Sequence, residues 1–357
     1  MLRSSVVCLG ALAALHGPCG GRLVASEPIA AADAAGENGE AGAGAGSSPA
    51  GGPTGTGSSG SPTLVTLASG LTCPWGMAID STSVYWTTCG DPTGGFVVKV
   101  PKAGGDVTTL ASGDRLSGIA VDATSVYWIA GSADASDPGS GAVMRVPVGG
   151  GAVTTLAVGP VSPSHIAVDE TSVYWTEQME GAVVKVPLTG GTPTTVAAAV
   201  SPWNIALDAT NVYWTSMMYG VMKASKVGGP ATRVSVPAVG PTVPTAGLAV
   251  GATNVYWAVW MPPSLSTVPV HGGTQTVVYA ETPSTAPGPI ALDDTSIYWA
   301  DMSNAVHAGP LRGGTAATLA TGQSEVVAIA VDDTSLYWLV NGFPNSGQGS
   351  LVRLTPK

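Results

Sequence analysis

Charged residues are scarce in this sequence of 357 residues: they make up 10% of it, against 45% hydrophobic residues. So much apolar material excludes a solvated, disordered chain and suffices for a large core. The formal net charge is -10 at pH 7, and no cluster of Lys and Arg occurs. We therefore expect no nucleic acid partner and no binding to anionic membrane surfaces, whereas cations, neutral ligands, polysaccharides and basic proteins stay open.

Motifs of common enzyme chemistries are also missing. The sequence has no nucleophile elbow, no phosphate-binding P-loop and no dinucleotide fingerprint. It has only four Cys and four His, and they do not follow the spacing of a zinc site. No cofactor is evident, and a divalent cation is the one cofactor left open.

Long apolar runs are absent apart from Ser5–Leu15, which follows Arg3 and is too short to span a bilayer. This pattern predicts a signal peptide over residues 1–25. Cys19 offers lipid anchoring as an alternative, although Pro18 before it fits a lipoprotein box poorly. Residues 26–62, rich in Gly, Ala, Ser and Pro, are predicted to be a flexible linker. We expect a secreted or bacterial envelope protein, attached to the membrane only through that possible anchor.

The rest of the chain is a repeat marked by Tyr-Trp pairs. The pairs recur every 39 to 47 residues and begin at Tyr85, Tyr127, Tyr174, Tyr213, Tyr256, Tyr298 and Tyr337. This period is typical of β-propellers, and frequent Gly, Pro and β-branched residues argue against helical repeats. Each copy holds four short apolar runs separated by turn residues, which predicts one four-stranded antiparallel blade. The sequence thus predicts an all-β, seven-bladed β-propeller over residues 63–357, and we expect a monomer.

The last repeat ends after its third strand, near Ser350–Thr355. Thr63–Ser69 resembles the fourth strand of blade one. We predict that this N-terminal strand completes blade seven and closes the ring, which removes exposed sheet edges. Because the Val-Tyr-Trp run has no polar alternation, its aromatics are predicted to form the core between blades.

The motif Ile-Ala-Val-Asp, Val-Tyr-Trp-Thr, Val-x-Lys/Arg-Val and Gly-Gly resembles the YWTD propellers of low-density lipoprotein receptors and related bacterial repeats. The resemblance covers Thr63–Lys357 and implies a β-propeller. That family typically has six blades and an acid after Tyr-Trp-Thr, but this chain has seven copies and an acid only at Glu177 and Asp301. The resemblance therefore implies the architecture and no receptor-like role.

The predicted meander defines two faces. We call the side with the first–second and third–fourth turns the turn face, and the side with the second–third and inter-blade connections the loop face. Six matching acids on the turn face are predicted to form turns, with a ring of bound cations as the alternative. They are Asp80, Asp122, Asp169, Asp208, Asp293 and Asp332.

The loop face varies in length and residue type, as binding loops on rigid scaffolds do. Trp75, Trp203 and Trp260 are predicted either to stack on a ring-shaped ligand such as a sugar or to seal the blades. The other predicted ligand-binding residues are Met217, Tyr219 and Asp301. The same face holds further variable residues and acids: Ala130–Asp137, Asp91, Asp114, Met179, Met218 and Met261.

His165, Glu177 and Glu180 are the best candidates for acid–base or metal chemistry. In the hairpin of blade three Asp169 opposes Ser172, so His165 is predicted to face Thr176, next to Glu177. The alternative is a surface histidine beside two solvated acids. His271 and His307 are predicted in a third–fourth turn and a third strand, away from this site.

Cys73 and Cys89 lie nearly opposite each other at the strand ends of the first hairpin, by the same register counting. In an exported protein this predicts a structural disulfide.

Three functions follow from these patterns. The first is a non-catalytic module that binds a protein or glycan through the loop face. The alternatives are a lactonase- or lyase-like enzyme that uses His165, Glu177, Glu180 and a divalent cation, and a spacer without a specific ligand.

Overall fold

A computed structural model describes residues 61–89, 94–131, 141–160, 162–236, 243–341 and 348–357, with the backbone alone at 236, 243–246 and 283. These residues form seven four-stranded antiparallel sheets. The predicted signal peptide and nearly all of the predicted linker lie outside the described residues, as do Asp91, Asp134 and Asp137.

The strands follow the predicted meander, with the first strand of each blade at the centre of the ring. The chain enters with β1 (Thr63–Leu71). Blade one contains β2 (Pro74–Ile79), β3 (Ser83–Thr88), β4 (Gly95–Pro101) and β5 (Thr108–Gly113). Blade two contains β6 (Ile119–Val121), β7 (Ser125–Ala130), β8 (Ala142–Pro147) and β9 (Thr154–Val158). Blade three contains β10 (Pro163–Val168), β11 (Ser172–Glu177), β12 (Ala182–Pro187) and β13 (Thr194–Ala198).

Blades four to seven repeat this order with small additions. Blade four contains β14 (Pro202–Leu207), β15 (Asn211–Ser216), β16 (Gly220–Ser225) and β17 (Thr232–Arg233). Blade five contains β19 (Val243–Val250), β20 (Asn254–Met261), β21 (Pro263–Pro269) and β23 (Thr276–Ala280). Blade six contains β24 (Pro287–Leu292), β25 (Ser296–Asp301), β26 (Val306–Pro310) and β27 (Ala317–Ala320). Blade seven contains β28 (Val326–Val331), β29 (Leu336–Val340) and β30 (Gly349–Thr355). The additions are a short parallel pair, β18 (Ser235–Val236) with β22 (Gly273–Thr274), and a 3-10 turn at Pro283–Thr285.

The ring closes as predicted. Strand β1 pairs antiparallel with β30, from Thr63 opposite Thr355 to Leu71 opposite Gly349. The first strands contact one another around the whole ring, and β2 of blade one contacts β28 of blade seven. The two chain ends thus share one sheet, which leaves no open blade at the junction.

Each junction between blades packs four equivalent side chains, with Met77 of blade one and Leu248 of blade five at the Ile position. The Ala and Tyr of one blade pack against the Ile and Trp of the next, for example Ala120 and Tyr127 of blade two against Ile166 and Trp175 of blade three. All seven Trp side chains of the repeat are at most 2% exposed. The predicted inter-blade aromatic core is confirmed, and each Trp contributes at most about 4–6 kcal/mol from burial of roughly 150–250 Å².

The repeated Asp forms the first–second turn and also holds the Tyr of its own blade. In blade one, the Asp80 carboxylate accepts hydrogen bonds from the backbone N–H groups of Thr82 (2.6 Å) and Ser83 (2.7 Å) and from the Tyr85 hydroxyl (2.7 Å). Both backbone bonds recur at all six acids. These acids are turn formers, as predicted, and their link to the Tyr explains why the two residue types repeat together.

Blade five lacks this Asp and therefore offers a test of how much the Asp stabilises the fold. Gly251 takes the Asp position in the same backbone turn, since its N–H donates to the Asn254 carbonyl at 2.8 Å. An added Cβ would meet no atom closer than 3.5 Å. We expect Gly251→Asp to stabilise the fold by about 1–2 kcal/mol, through bonds to the turn and Tyr256 and a less flexible unfolded chain. Gly251→Ala, which lacks the carboxylate, should add only about 0.5 kcal/mol in the same urea denaturation experiment. Equal values for the two variants would show that the carboxylate contributes nothing there.

Candidate functional site

Most Lys and Arg side chains of the propeller lie on the turn face, where they bond to a neighbouring blade. Lys99 Nζ donates to the Val148 carbonyl of the next blade at 2.5 Å, and Lys185 Nζ donates to the Lys226 carbonyl at 2.7 Å. The same bond is made from the same strand position by Arg145, Lys223 and Arg353. These contacts explain the repeated basic residue of the third strand, for which the sequence alone predicts no role.

Three further lysines of this face bind the turn acids of a neighbouring blade. Lys226 Nζ lies 3.0 Å from Asp169, and Lys102 Nζ lies 2.7 Å from Asp332. Lys357 Nζ lies 2.7 Å from Asp293. Burial by itself raises the pKa of Asp169, but hydrogen bonds from Thr171 and from Lys226 outweigh it and hold the pKa at about 2. For Asp332 the opposing bonds come first from Lys102, and the pKa is again about 2.

These low pKa values predict acid sensitivity. Each carboxylate has a lower pKa in the folded protein than its ordinary value of 3.8 in an unfolded chain. Its contribution to stability is therefore complete above about pH 5 and is lost as the pH falls from about 4 towards 2. We expect the melting temperature to fall over that range, and Asp169→Asn to reduce the dependence. A melting temperature that is flat down to pH 2 would contradict this assignment.

His165 does not join the predicted site. Its side chain is 4% exposed, so the alternative of a surface histidine is wrong. The ring packs against the Trp203 indole of the next blade, with 5.5 Å between ring centroids. Burial lowers the pKa of His165 to about 4, against a weaker opposing hydrogen bond to the Trp203 backbone. At neutral pH the imidazole is uncharged and lies inside the junction of blades three and four.

The two acids predicted beside it differ in their surroundings. The Trp175 indole N–H donates to Glu177 Oε1 at 2.8 Å, while Glu180 is exposed in the following turn. Within the described residues, no three His, Cys, Asp or Glu side chains form a group that could hold a metal ion. The hairpin register itself matches the expectation, because Ile166 pairs with Trp175 and the His165 N–H donates to Thr176 Oγ1 at 3.3 Å.

A buried threonine connects neighbouring blades near this point. Thr176 Oγ1 also donates to the Trp203 carbonyl of blade four at 2.7 Å. In blade one Thr87 makes the equivalent pair of bonds, to Gly76 N–H and to the Ser117 carbonyl. The Thr of the Tyr-Trp-Thr motif therefore links neighbouring blades through its hydroxyl. Sequence reasoning missed this role, although the Thr is part of the repeated motif.

The three tryptophans outside the repeat are half-buried. Trp75 and Trp203 lie in first strands, and Trp260 lies near the end of β20. Trp203 covers His165 and so seals the junction of blades three and four, which is one of the two roles predicted for it. Stacking of these indoles on a ligand stays a prediction.

The loop face carries a group of exposed Met side chains. The second–third connections of blades three to six carry Met179 (60% exposed), Met217, Met218, Met261 and Met302, which are at least 50% exposed, and Tyr219 at 42%. We call these six residues the methionine arc, because they lie on four successive blades. The exposure of Met217 and Tyr219 agrees with their selection as ligand candidates, whereas Met302 was missed.

Asp301, also a predicted ligand residue, is committed to the turn that carries Met302. Its Oδ1 accepts bonds from the Ser303 N–H (2.9 Å), the Ser303 hydroxyl (2.7 Å) and the Ala305 N–H (3.1 Å). Its Oδ2 lies 3.0 Å from His307 Nε2 on the adjacent third strand. With its side chain 2% exposed, Asp301 shapes the loop face and does not present its oxygens there.

The predicted disulfide is present. Cys73 and Cys89 are bonded with their Cα atoms 5.6 Å apart, and the Cys89 N–H donates to the Cys73 carbonyl at 2.9 Å. The bond ties the two strands of the first hairpin of blade one at their loop-face ends.

Comparisons with known proteins identify the class. No family model matches the chain, and no curated protein matches it. Among solved structures, a streptogramin B lyase aligns with 13% identity and a TM-score of 0.65 over 83% of this chain and 98% of that chain. YCF48 from Cyanidioschyzon merolae aligns with 12% identity and a TM-score of 0.60, over 83% and 99%. The extracellular domain of a one-component system from B. thetaiotaomicron aligns with 10% identity and a TM-score of 0.60, over 82% of this chain and 39% of that one.

Such likenesses show the fold alone. The chain is a seven-bladed β-propeller with four antiparallel strands in each blade. In the described part of the chain no helix is long and apolar enough to cross a membrane.

Proposed function

We propose that this protein is an exported, non-catalytic propeller that binds another protein through the methionine arc. The observation that carries the proposal is the exposure of five Met side chains on the second–third connections of four successive blades. Exposed apolar patches on soluble proteins mark interaction sites, and Met adapts its flexible side chain to varied partner surfaces.

The surrounding structure supports such a role. The turn face is occupied by repeated turns and inter-blade bonds, whereas the arc lies on connections that differ from blade to blade. The blades behind the arc are held by buried aromatic pairs, so the arc stands on a rigid base. We rank the enzyme alternative second, because His165 is buried and Glu177 accepts a hydrogen bond from the Trp175 indole.

The disulfide supports export, because such bonds persist in oxidising compartments. We accordingly place the protein outside the cytoplasm, with residues 1–25 as its signal and residues 26–62 as its linker. The Tyr-Trp repeats favour kinship with the YWTD group among propellers, and the binding role rests on the arc alone.

A panel of immobilised peptides and glycans tests the proposal. Wild type is compared with an arc variant in which Met179, Met217, Met218, Met261 and Met302 are changed to Ser, and with a control that carries Val158→Ser and Val227→Ser. Both control residues are more exposed than any arc methionine and lie off the arc. We expect peptides to bind wild type and control alike and to bind the arc variant at least about tenfold more weakly. Binding of glycans only, or equal peptide binding by all three proteins, would overturn the proposal.

A further inference from the structure

The charges of the propeller are unevenly divided between its two faces. Thirteen Lys and Arg occur in the chain, of which Arg3 and Arg22 precede the propeller, leaving eleven. Eight of the eleven make the inter-blade bonds described above, and Arg312 lies in the third–fourth turn of blade six. Nine cations therefore lie at the turn face, against ten acids. These acids are Asp80, Asp106, Asp122, Asp169, Glu170, Asp208, Asp293, Asp294, Asp332 and Asp333.

The loop face has no such balance. Its described cations are Arg115 and Arg233, against six acids. These acids are Asp114, Glu177, Glu180, Glu281, Asp301 and Glu325. Two cations and six acids give a formal charge of -4, or -3 when the buried Asp301 is left out, compared with -1 for nine cations and ten acids at the turn face. Most of the negative field of the described propeller therefore faces the side that carries the methionines.

Several of these acids lie beside the arc. Glu177 ends β11, and Glu180 lies in the connection that carries Met179. Glu281 lies beside the Met261 connection of blade five, because its N–H donates to the Pro263 carbonyl at 2.9 Å. The Met302 N–H donates to the Ala286 carbonyl at 3.1 Å, which joins the Met302 turn to the end of the segment that Glu281 begins. The Gln323 N–H donates to the Asn304 carbonyl at 2.8 Å, which joins the same turn to the segment before Glu325. Carboxylates thus lie beside the Met side chains at blade three, at blade five and between blades six and seven.

We infer that the partner of the methionine arc is a cationic, amphipathic protein segment, with apolar side chains that cover the Met residues and Lys or Arg that face the flanking carboxylates. This inference rests on the proposed function and adds the chemistry of the partner. Apolar burial supplies affinity, and charge complementarity excludes acidic competitors and speeds association. A surface of flexible Met accepts a range of such segments, so the sequence of the partner matters less than its pattern.

Three synthetic peptides of about 16 residues, each long enough for about four helical turns, test the inference. One is an amphipathic Leu/Lys peptide, one is its Leu/Glu counterpart, and one is a Ser/Lys peptide without apolar residues. Fluorescence anisotropy measures their binding to wild type. We expect the Leu/Lys peptide to bind at least about tenfold more tightly than either of the others, and to weaken when salt rises from about 50 to about 500 mM.

Matched charge variants locate the effect. Glu180→Gln, Glu281→Gln and Glu325→Gln together remove three loop-face charges and should weaken Leu/Lys binding about three- to tenfold. Glu170→Gln, Asp294→Asn and Asp333→Asn remove three exposed turn-face charges and should leave the binding unchanged. If the Leu/Glu peptide binds wild type as well as the Leu/Lys peptide, or if both charge variants behave alike, the inference fails. In that event, weaker binding by the arc variant would still support the proposed function, and unchanged binding would overturn that as well.

Discussion

Deletion of Thr63–Ser69 should abolish the closed ring, with the largest loss of stability of any change considered. The deletion removes the strand partner of β30 and uncovers the apolar side chains that Leu67 and Ala68 meet in blade one and blade seven. An open seventh blade exposes an unpaired edge, which promotes aggregation. We expect the melting temperature to fall by more than about 10 °C, or cooperative unfolding to disappear, in differential scanning calorimetry.

Two leucines of the same strand provide the matched control. Leu67 is 8% exposed and Leu64 is 48% exposed. Leu67→Asp places a charge in the closure core and should cost about 3–5 kcal/mol, whereas Leu64→Asp should stay within about 1 kcal/mol. If the two variants melt together near wild type, strand β1 does not stabilise the ring.

Removal of the disulfide should have the second largest effect. Cys73 and Cys89 are 16 residues apart in sequence, and a loop of that size corresponds to about 3 kcal/mol of lost chain entropy in the unfolded state. The bond holds β2 beside β3 at the loop-face end of blade one, next to the blade that the N-terminal strand completes. We expect the double variant Cys73→Ser, Cys89→Ser to unfold at a correspondingly lower guanidinium concentration.

Reductant supplies the control for this prediction. Dithiothreitol should shift the unfolding curve of wild type to that of the double variant and leave the double variant unmoved. A wild-type curve that does not respond, with the bond shown by mass spectrometry to be reduced, would mean that the disulfide adds no stability.

The turn acids and the disulfide are features that local sequence patterns predict correctly. The Asp of the turn and its Tyr lie five residues apart, so both can be recognised in one repeat, although only the structure shows their hydrogen bond. The Cys73–Cys89 pair follows from register counting, because an antiparallel hairpin sets which residues oppose each other. The ring closure follows from the similarity of Thr63–Ser69 to a missing strand.

The side-chain contacts of the structure could not be predicted from such local patterns. His165 and Glu177 are close in the hairpin register, yet one side chain turns into the junction with Trp203 and the other binds the Trp175 indole. Asp301 was predicted to bind a ligand as one of the acids of the loop face, but it caps its own turn and so leaves Met302 as the exposed residue. Lys99 and its equivalents reach carbonyl groups roughly forty to fifty residues away in the chain, or on the far side of the ring closure.

The sequence by itself determined the number of blades, their strands, the register of the hairpins and the closure, because periodicity, alternation and turn residues act over short stretches of chain. Only the tertiary structure decided which side chains face a neighbouring blade and which face solvent. That choice depends on the packing of residues from different repeats, and it separated the buried His165 from the exposed methionine arc.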